Sequence, residues 1–382
     1  MKKILLLVIG MFALGLDAFV ISGLLPYISH DLNVSMASTA QTVTAFTLCY
    51  ALSAPIFATL LSGKEVKNIL LLALCIFIIG NIISAISTNF TIFILSRCVA
   101  GIGAGIYSPL AVASAAVLVK PEQKGSALSL ALGGMSMGVV LGVPLGLLIA
   151  TKFDWHITLW LIAALGMIGM IVIFLKFPKI KAATPPSLIE RISILKNKHV
   201  AAIVVVSFLT AVASLGLYTF ISLIVANMHG RYSLTKYFWV WGIGGMIGSF
   251  AVGKIIDKTR NPRIIMALIL LFLSLSLLVI PISITRPIVS VVPFIIWGIM
   301  GWASQTPQQH ALINTEPNHA AAAVALNSST NYLGGSVGTM LGSLLLTMNI
   351  TSAKLTLFAA GVAFIALIWQ VVICYAHKHK TK

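Results

Sequence analysis

The stretch GGMSMGVVLGVPLG, residues 133–146, decides the architecture. Gly134, Gly138 and Gly142 recur every fourth position, so on a helix of 3.6 residues per turn they form one groove along one face. The same ladder returns as Gly334, Gly338 and Gly342, an offset of 200 positions. A repeat at that distance predicts two halves derived from one pattern. Glycine ladders let helix backbones approach closely where lipid provides no hydrophobic drive to association. They serve static packing, and they also suit helices that slide on one another.

Composition names the solvent. Of 382 residues, 59% are hydrophobic and 9% charged, against roughly 25% charged in soluble globular domains. Mean hydropathy is +1.05, which leaves no material for a sizeable water-facing domain and excludes a soluble enzyme. At about 20 residues per span plus a connection, the length accommodates roughly a dozen membrane helices. Apolar stretches bounded by Pro, Gly, Asn and charge fall near 4–25, 38–61, 68–87, 90–117, 125–150 and 158–177. They resume near 200–226, 236–256, 263–283, 287–310, 319–348 and 353–376.

These readings predict an all-α polytopic membrane protein of twelve transmembrane helices in two six-helix lobes around a central cavity. The amino-terminal lobe covers 1–175. The segment 176–199, KFPKIKAATPPSLIERISILKNKH, reads as a cytoplasmic linker. The carboxy-terminal lobe covers 200–382 and ends in a basic tail. Repeated halves of this kind are the architecture of secondary transporters.

The formal charge of +17 follows from topology. With the amino terminus inside, 19 of the 25 Lys and Arg residues fall on the cytoplasmic side and five outside: Lys152, Arg231, Lys236, Arg286 and Lys354. The positive-inside rule then predicts a multi-pass cell-membrane protein with both termini cytoplasmic. No nucleic-acid partner is needed to explain the charge, and the basic tail AHKHKTK faces lipid headgroups. Lys2 and Lys3 precede an apolar run of about 20 residues without a cleavage site, so the run is read as a retained first helix. Cys49, Cys75, Cys98 and Cys374 fall in spans and form no C-x-x-C motif.

One basic residue, Arg97, lies inside a span, as does one acid, Asp17, in LGLDAFVISGLLP (14–26). The other seven acids lie in or beside loops. An ionisable group in hydrocarbon costs several kcal/mol and marks a functional candidate. Counting 1.5 Å per residue from the outer helix ends places Asp17 and Arg97 at similar depths. Their pairing offsets part of the desolvation cost. Two readings stand: a permanent salt bridge that fixes helix register, and a carboxyl that exchanges a proton during transport.

A polar stripe, Ser207, Thr210, Ser214, Tyr218 and Ser222, recurs every three to four residues in the seventh span. It is read either as a binding face or as hydroxyls bonded to their own helix carbonyls. Trp297, Trp302 and Gln305, Tyr107, and Gln41 with Thr44 add groups able to line a cleft, or simply to pack. There is no G-x-x-x-x-G-K-[ST] loop, so energy is expected from a gradient and no cofactor is required. His310, Glu316 and His319 fit no metal-ligand spacing, and no metal is expected. Nor does any nucleophile–base constellation point to an enzyme.

Several segments in order resemble the major facilitator superfamily, specifically its twelve-span drug:proton antiporter branch with the arabinose-efflux-permease-like and purine-efflux-like exporters. They are LGLDAFVISGLLP, FIIGNIISAISTNF (77–90), RCVAGIGAGIYSP (97–109), VLVKPEQKGSAL (117–128), GGMSMGVVLGVPLG, GKIIDKTRNPR (253–263), WGIMGWASQTPQQ (297–309) and LNSSTNYLGGSVG (326–338). The resemblance implies that GGMSMGVVLGVPLG is an antiporter motif whose Gly142–Pro144 segment kinks. It implies that Gly253, Asp257, Lys258 and Arg260 belong to an intracellular latch. The equivalent first-half loop, LSGKEVKN (61–68), has only Glu65 as an acid, and His156 stands where relatives carry Arg. It further implies that spans 1, 4, 7 and 10 line the cavity.

The expected function is therefore export of a small molecule, such as a drug, sugar or nucleoside-like compound, by proton antiport with alternating access, in a monomer that needs lipid, substrate and proton. The alternatives are an uncoupled facilitator of the same fold and a non-transporting membrane receptor.

Overall fold

The computed structural model describes residues 3–60, 63–120, 123–180, 193–226, 233–283, 286 and 289–380. Among these residues it is helical throughout, with no strand element, and two compact units divide the chain at 187/188. Positions 181–192 of the expected linker lie outside the described residues.

The amino-terminal unit contains α1 (Leu5–Asp31), α2 (Met36–Leu60), α3 (Val66–Ile86) and α4 (Phe90–Val117). It continues through α5 (Lys124–Met137), a π-helical turn (Gly138–Gly142), α6 (Val143–Lys152) and α7 (Trp155–Lys176). The sequence sets the starts locally. Asn89 accepts hydrogen bonds from the backbone N–H groups of Thr91 and Ile92 at the head of α4, and Asp154 accepts that of His156 at the head of α7. Such caps satisfy N–H groups that a helix start leaves orphaned.

α1 is longer than its apolar stretch suggests. It runs through Pro26 to Asp31 instead of stopping near residue 25. Proline is tolerated inside membrane helices, and beyond it Trp155 Nε1 donates to Asp31 Oδ2 at 3.2 Å, holding the far end of α1 against the start of α7.

The carboxy-terminal unit contains α8 (Lys198–Tyr218), α9 (Ile221–Ala226), α10 (Leu234–Thr259), α11 (Pro262–Ser283), α12 (Val291–Ala303), α13 (Gln305–Thr315), α14 (Ala320–Thr347) and α15 (Ser352–Lys380). Two expected spans are interrupted. The seventh turns at Thr219 and Phe220, between α8 and α9. The tenth begins at Val291 rather than near 287, and breaks at Ser304 between α12 and α13. Pro307, three residues on, has no N–H to donate and its ring crowds the carbonyl a turn earlier, which accounts for the break.

Among the described residues, ten helices are long and apolar enough to cross a membrane. The tenth expected span is divided by its break, and the eleventh, α14, is diluted by Asn, Ser, Thr and Gly. Large apolar side chains cover much of the outer surface, including Phe174, Phe250, Ile282 and Trp369. Only hydrocarbon is a suitable solvent for so much exposed apolar surface.

The glycine ladders explain the packing, and the duplication is spatial as well as sequential. In the amino-terminal unit, a Cβ on Gly134 would meet Val8, one on Gly138 would meet the Phe12 carbonyl and Leu16, and one on Gly142 would meet Leu16. At an offset of 200, Gly334 faces Phe208 and Ala211, Gly338 faces Val212 and Gly216, and Gly342 faces Phe220. Each ladder thus lies against the first long helix of its own unit, with the last step of the second ladder meeting Phe220 just beyond α8.

Candidate functional site

Asp17 sits midway along α1 and is fully buried. Arg97, seven residues into α4 and also buried, donates from Nη1 to Asp17 Oδ1 at 2.8 Å. A third side chain completes the cluster. Asn81 of α3, buried as well, donates from Nδ2 to Asp17 Oδ2 at 3.2 Å and accepts from Arg97 Nη1 at Oδ1 over 3.3 Å. Its Nδ2 also reaches the Phe77 carbonyl at 3.1 Å, which orients the amide from its own helix. The Phe46 ring of α2 lies 4.6 Å from the Arg97 guanidinium carbon, in cation–π range. Arg97 Nε is buried with no hydrogen-bond partner.

Four helices therefore converge on one ion pair. Each carboxylate oxygen of Asp17 has a donor, while the guanidinium is left partly unmet. Removing either charge would leave the other isolated in a medium that does not solvate it. Asn81 lies within FIIGNIISAISTNF, and its signal in the sequence is an amide in the middle of a largely apolar span.

The other candidates fall into two groups, one in each unit. In the amino-terminal unit, Tyr107 is buried, and its hydroxyl donates to the Leu7 carbonyl of α1 at 3.1 Å, with its ring over Gly10. It ties α4 to α1. Thr44 is buried on α2 and Gln41, one turn earlier, is half-buried. Gly138 and Gly142 press on Leu16, the residue before Asp17, so the π-helical turn bears directly on the segment that carries the acid. Pro144 is buried in the first turn of α6.

In the carboxy-terminal unit, Trp297 Nε1 donates to Ser214 Oγ at 2.9 Å. Tyr218 packs on Trp241 at 4.4 Å and Phe238 at 5.4 Å, and Trp241 meets Trp297 and Trp302 edge-on. Trp241 of α10 is the centre of this aromatic group and carried no signal in the sequence beyond its residue type. Gln305 and Asn331 exchange amide hydrogen bonds of 2.9 and 3.2 Å across α13 and α14. Within the polar stripe, Thr210 bonds back to the Val206 carbonyl.

The residues expected to form a latch are apart from these groups. Asp257, Lys258 and Arg260 are exposed, and no ion pair among the described residues involves Asp257. Arg260 ends α10 in the left-handed region at φ 52°, its N–H returning to the Ile256 carbonyl. At the first-half loop, Glu65 accepts from Asn68 Nδ2 at 3.4 Å. Among the described residues, no three His, Cys, Asp or Glu side chains converge to hold a metal ion. Glu316 binds Asn197 Nδ2 at 2.7 Å and lies 3.6 Å from His319.

One acidic corner lies at the ends of two spans. His156 Nδ1 meets Asp154 Oδ1 at 2.6 Å, its Nε2 lies 3.8 Å from Asp31 Oδ2, and its ring stacks on Trp155. For Asp154, partial burial pushes the carboxyl up, but the backbone and side-chain hydrogen bonds and charge of His156 outweigh it and hold the group below the usual carboxylate range.

The family model described as Major Facilitator Superfamily matches residues 7–339. The chain belongs to the major facilitator superfamily. It is 29% identical to the uncharacterized MFS-type transporter YbcL of Bacillus subtilis (strain 168), over 97% of this chain and 95% of that protein. Identity is 27% to the inner membrane transport protein YdhP of Escherichia coli (strain K12), and 24% to that strain's putative transporter AraJ; both alignments cover 96% of this chain and 94% of the relative. Among solved structures, a variant of the nucleoside transporter NupG superposes with a TM-score of 0.77, and the human organic anion transporter MFSD10 (TETRAN) with 0.71. Each is 15% identical, over 97% of this chain and 99% of the other. Such low identity carries the fold alone. This facilitator-superfamily chain is a multi-pass membrane transporter and not an enzyme.

Proposed function

We propose that the protein is a proton-coupled antiporter that exports a neutral small molecule across the cell membrane by alternating access, with both termini in the cytoplasm. The observation that carries this reading is the buried Asp17–Arg97 pair. A carboxylate deep in a membrane protein is stabilised while its guanidinium partner is in place. Protonating it removes the charge and releases Arg97, whose Nε already lacks a partner. The two protonation states thus favour different helix arrangements, which is what coupling requires. The Gly138–Gly142 turn, resting on Leu16, supports the transmission of that change between α1 and the fifth span.

The chemistry of the buried groups favours a neutral substrate. Arg97 is already neutralised by Asp17, so it offers little to an organic anion. The group of Tyr218, Trp241 and Trp297, with Ser214, supports recognition of a flat or hydroxylated molecule such as a nucleoside-like or sugar-like compound. A drug-sized apolar compound fits the same chemistry.

A second reading has its own observation. Both oxygens of Asp17 are engaged, one by Arg97 and one by Asn81, as expected of a permanent tie in an uncoupled facilitator. A substrate panel in proteoliposomes under an imposed pH gradient separates the two. Antiport predicts accumulation against the substrate gradient that a protonophore abolishes. Equilibrating flux indifferent to the protonophore would establish the facilitator instead.

A further inference from the structure

Cys49 of α2 and Cys98 of α4 interact side chain to side chain. The register of the two helices independently brings them together. Gly101 and Gly105 of α4 lie against the backbone of α2 at Phe46 and Tyr50, so the helices are in close contact there. Ser53 Oγ reaches across to the Ile102 carbonyl at 3.4 Å. One helical turn back from both of those residues stand Cys49 and Cys98. Both are free and half-buried. Leu52, three residues after Cys49, and Leu95, three before Cys98, are 51% and 60% exposed, so this stretch of both helices faces lipid. Phe46 and Arg97, which meet at 4.6 Å, flank the pair.

We propose that Cys49 and Cys98 form a dithiol modification site, closed by an uncharged two-point bridge between α2 and α4. A disulfide between them requires Cα atoms roughly 4.4–6.8 Å apart, and an arsenical bridge, with its longer S–As–S span, accepts a wider gap. Lipid around the pair selects uncharged reagents and uncharged products, because a charged adduct would bear the cost of burial in hydrocarbon. A diazene oxidant satisfies this. Two S–H bonds break, one S–S bond forms, and both hydrogens with two electrons pass to the N=N group, which becomes a hydrazine. A trivalent arsenical also satisfies it. Two As–S bonds replace the As=O bond, and the oxygen leaves as water with both thiol hydrogens. Either bridge would fasten α4 to α2 beside Arg97, independently of whether Asp17 couples to protons.

The test uses the full chain in lipid nanodiscs with Cys75 and Cys374 replaced by serine. After treatment with diamide, denatured protein is expected to show no titratable thiol, a mass lower by two hydrogens, and Cys49 and Cys98 peptides joined within one molecule. Phenylarsine oxide is expected to be retained at one per protein and released by excess dithiol. It should not be retained by Cys49→Ser or Cys98→Ser, each checked for a folded, monodisperse state. Two titratable thiols remaining after both reagents, bridges only between separate molecules, or equal arsenical retention by the single-thiol variants would overturn the proposal.

Discussion

Arg97 and Asp17 are 80 positions apart in the chain and 2.8 Å apart in space, each almost wholly removed from solvent. The pair connects α1, whose next contact is the π-helical turn, with α4, whose neighbours are α2 and α3. Any change in the charge of Asp17 is therefore felt by the helices of its unit that pack most closely around it.

Asn81 holds the second oxygen of that carboxylate. Asn81→Ala is expected to destabilise the protein by about 1.5–3 kcal/mol, the usual worth of a hydrogen bond to a charged group. It also leaves one oxygen of Asp17 without its donor in a site closed to solvent, so flux should fall as well. Thermal unfolding in detergent and flux in proteoliposomes check the two effects, and a stability loss with wild-type flux from equally folded protein would mean that Asn81 only packs.

Gly138 has no room for a methyl group. Its Cβ would run into the Phe12 carbonyl and stand 2.8 Å from the Leu16 backbone nitrogen. Gly138→Ala is expected to cost about 1–3 kcal/mol, as overpacking does, and to slow transport further by prying α1 from the fifth span. Gly133→Ala is the control, since nothing lies within 4 Å of its Cβ. It should be neutral or stabilising by up to about 1 kcal/mol through helix propensity. Comparing melting temperatures and flux for the two variants checks this.

The carboxyl of Asp154 is held low by His156 despite partial burial. A depressed carboxylate contributes stability that is present above its unfolded pKa of about 3.9, and that is lost as pH falls through the lower folded value. Protection of the His156 amide against hydrogen exchange should fall in that acidic window. Asp154→Asn keeps a capping oxygen but does not titrate, so its protection should be flat across the same range.

Much of this is legible in the sequence. Asp17 and Arg97 stood out because charge is expensive in hydrocarbon, and few arrangements excuse it. The glycine ladders are legible as a repeat, and the partners of their first two steps, in α1 and α8, repeat at the same offset. Asn81 and Trp241 were not legible as site residues. A neutral amide or an indole in an apolar span has many uses, and their contacts lie on other helices. Pro26 reads as a helix stop, yet α1 runs through it to Asp31, whose carboxylate is held by Trp155 far along the chain. The break at Ser304 falls where the apolar run VVPFIIWGIMGWA gives way to the polar QTPQQH, and Pro307 is its visible signal.

The most direct test of the coupling account is counterflow and gradient-driven transport by Asp17→Asn in proteoliposomes, alongside the wild type. The account predicts that the variant still exchanges bound substrate down its own gradient, yet no longer accumulates it when a pH gradient is imposed. Wild-type accumulation by Asp17→Asn under the same gradient would contradict it.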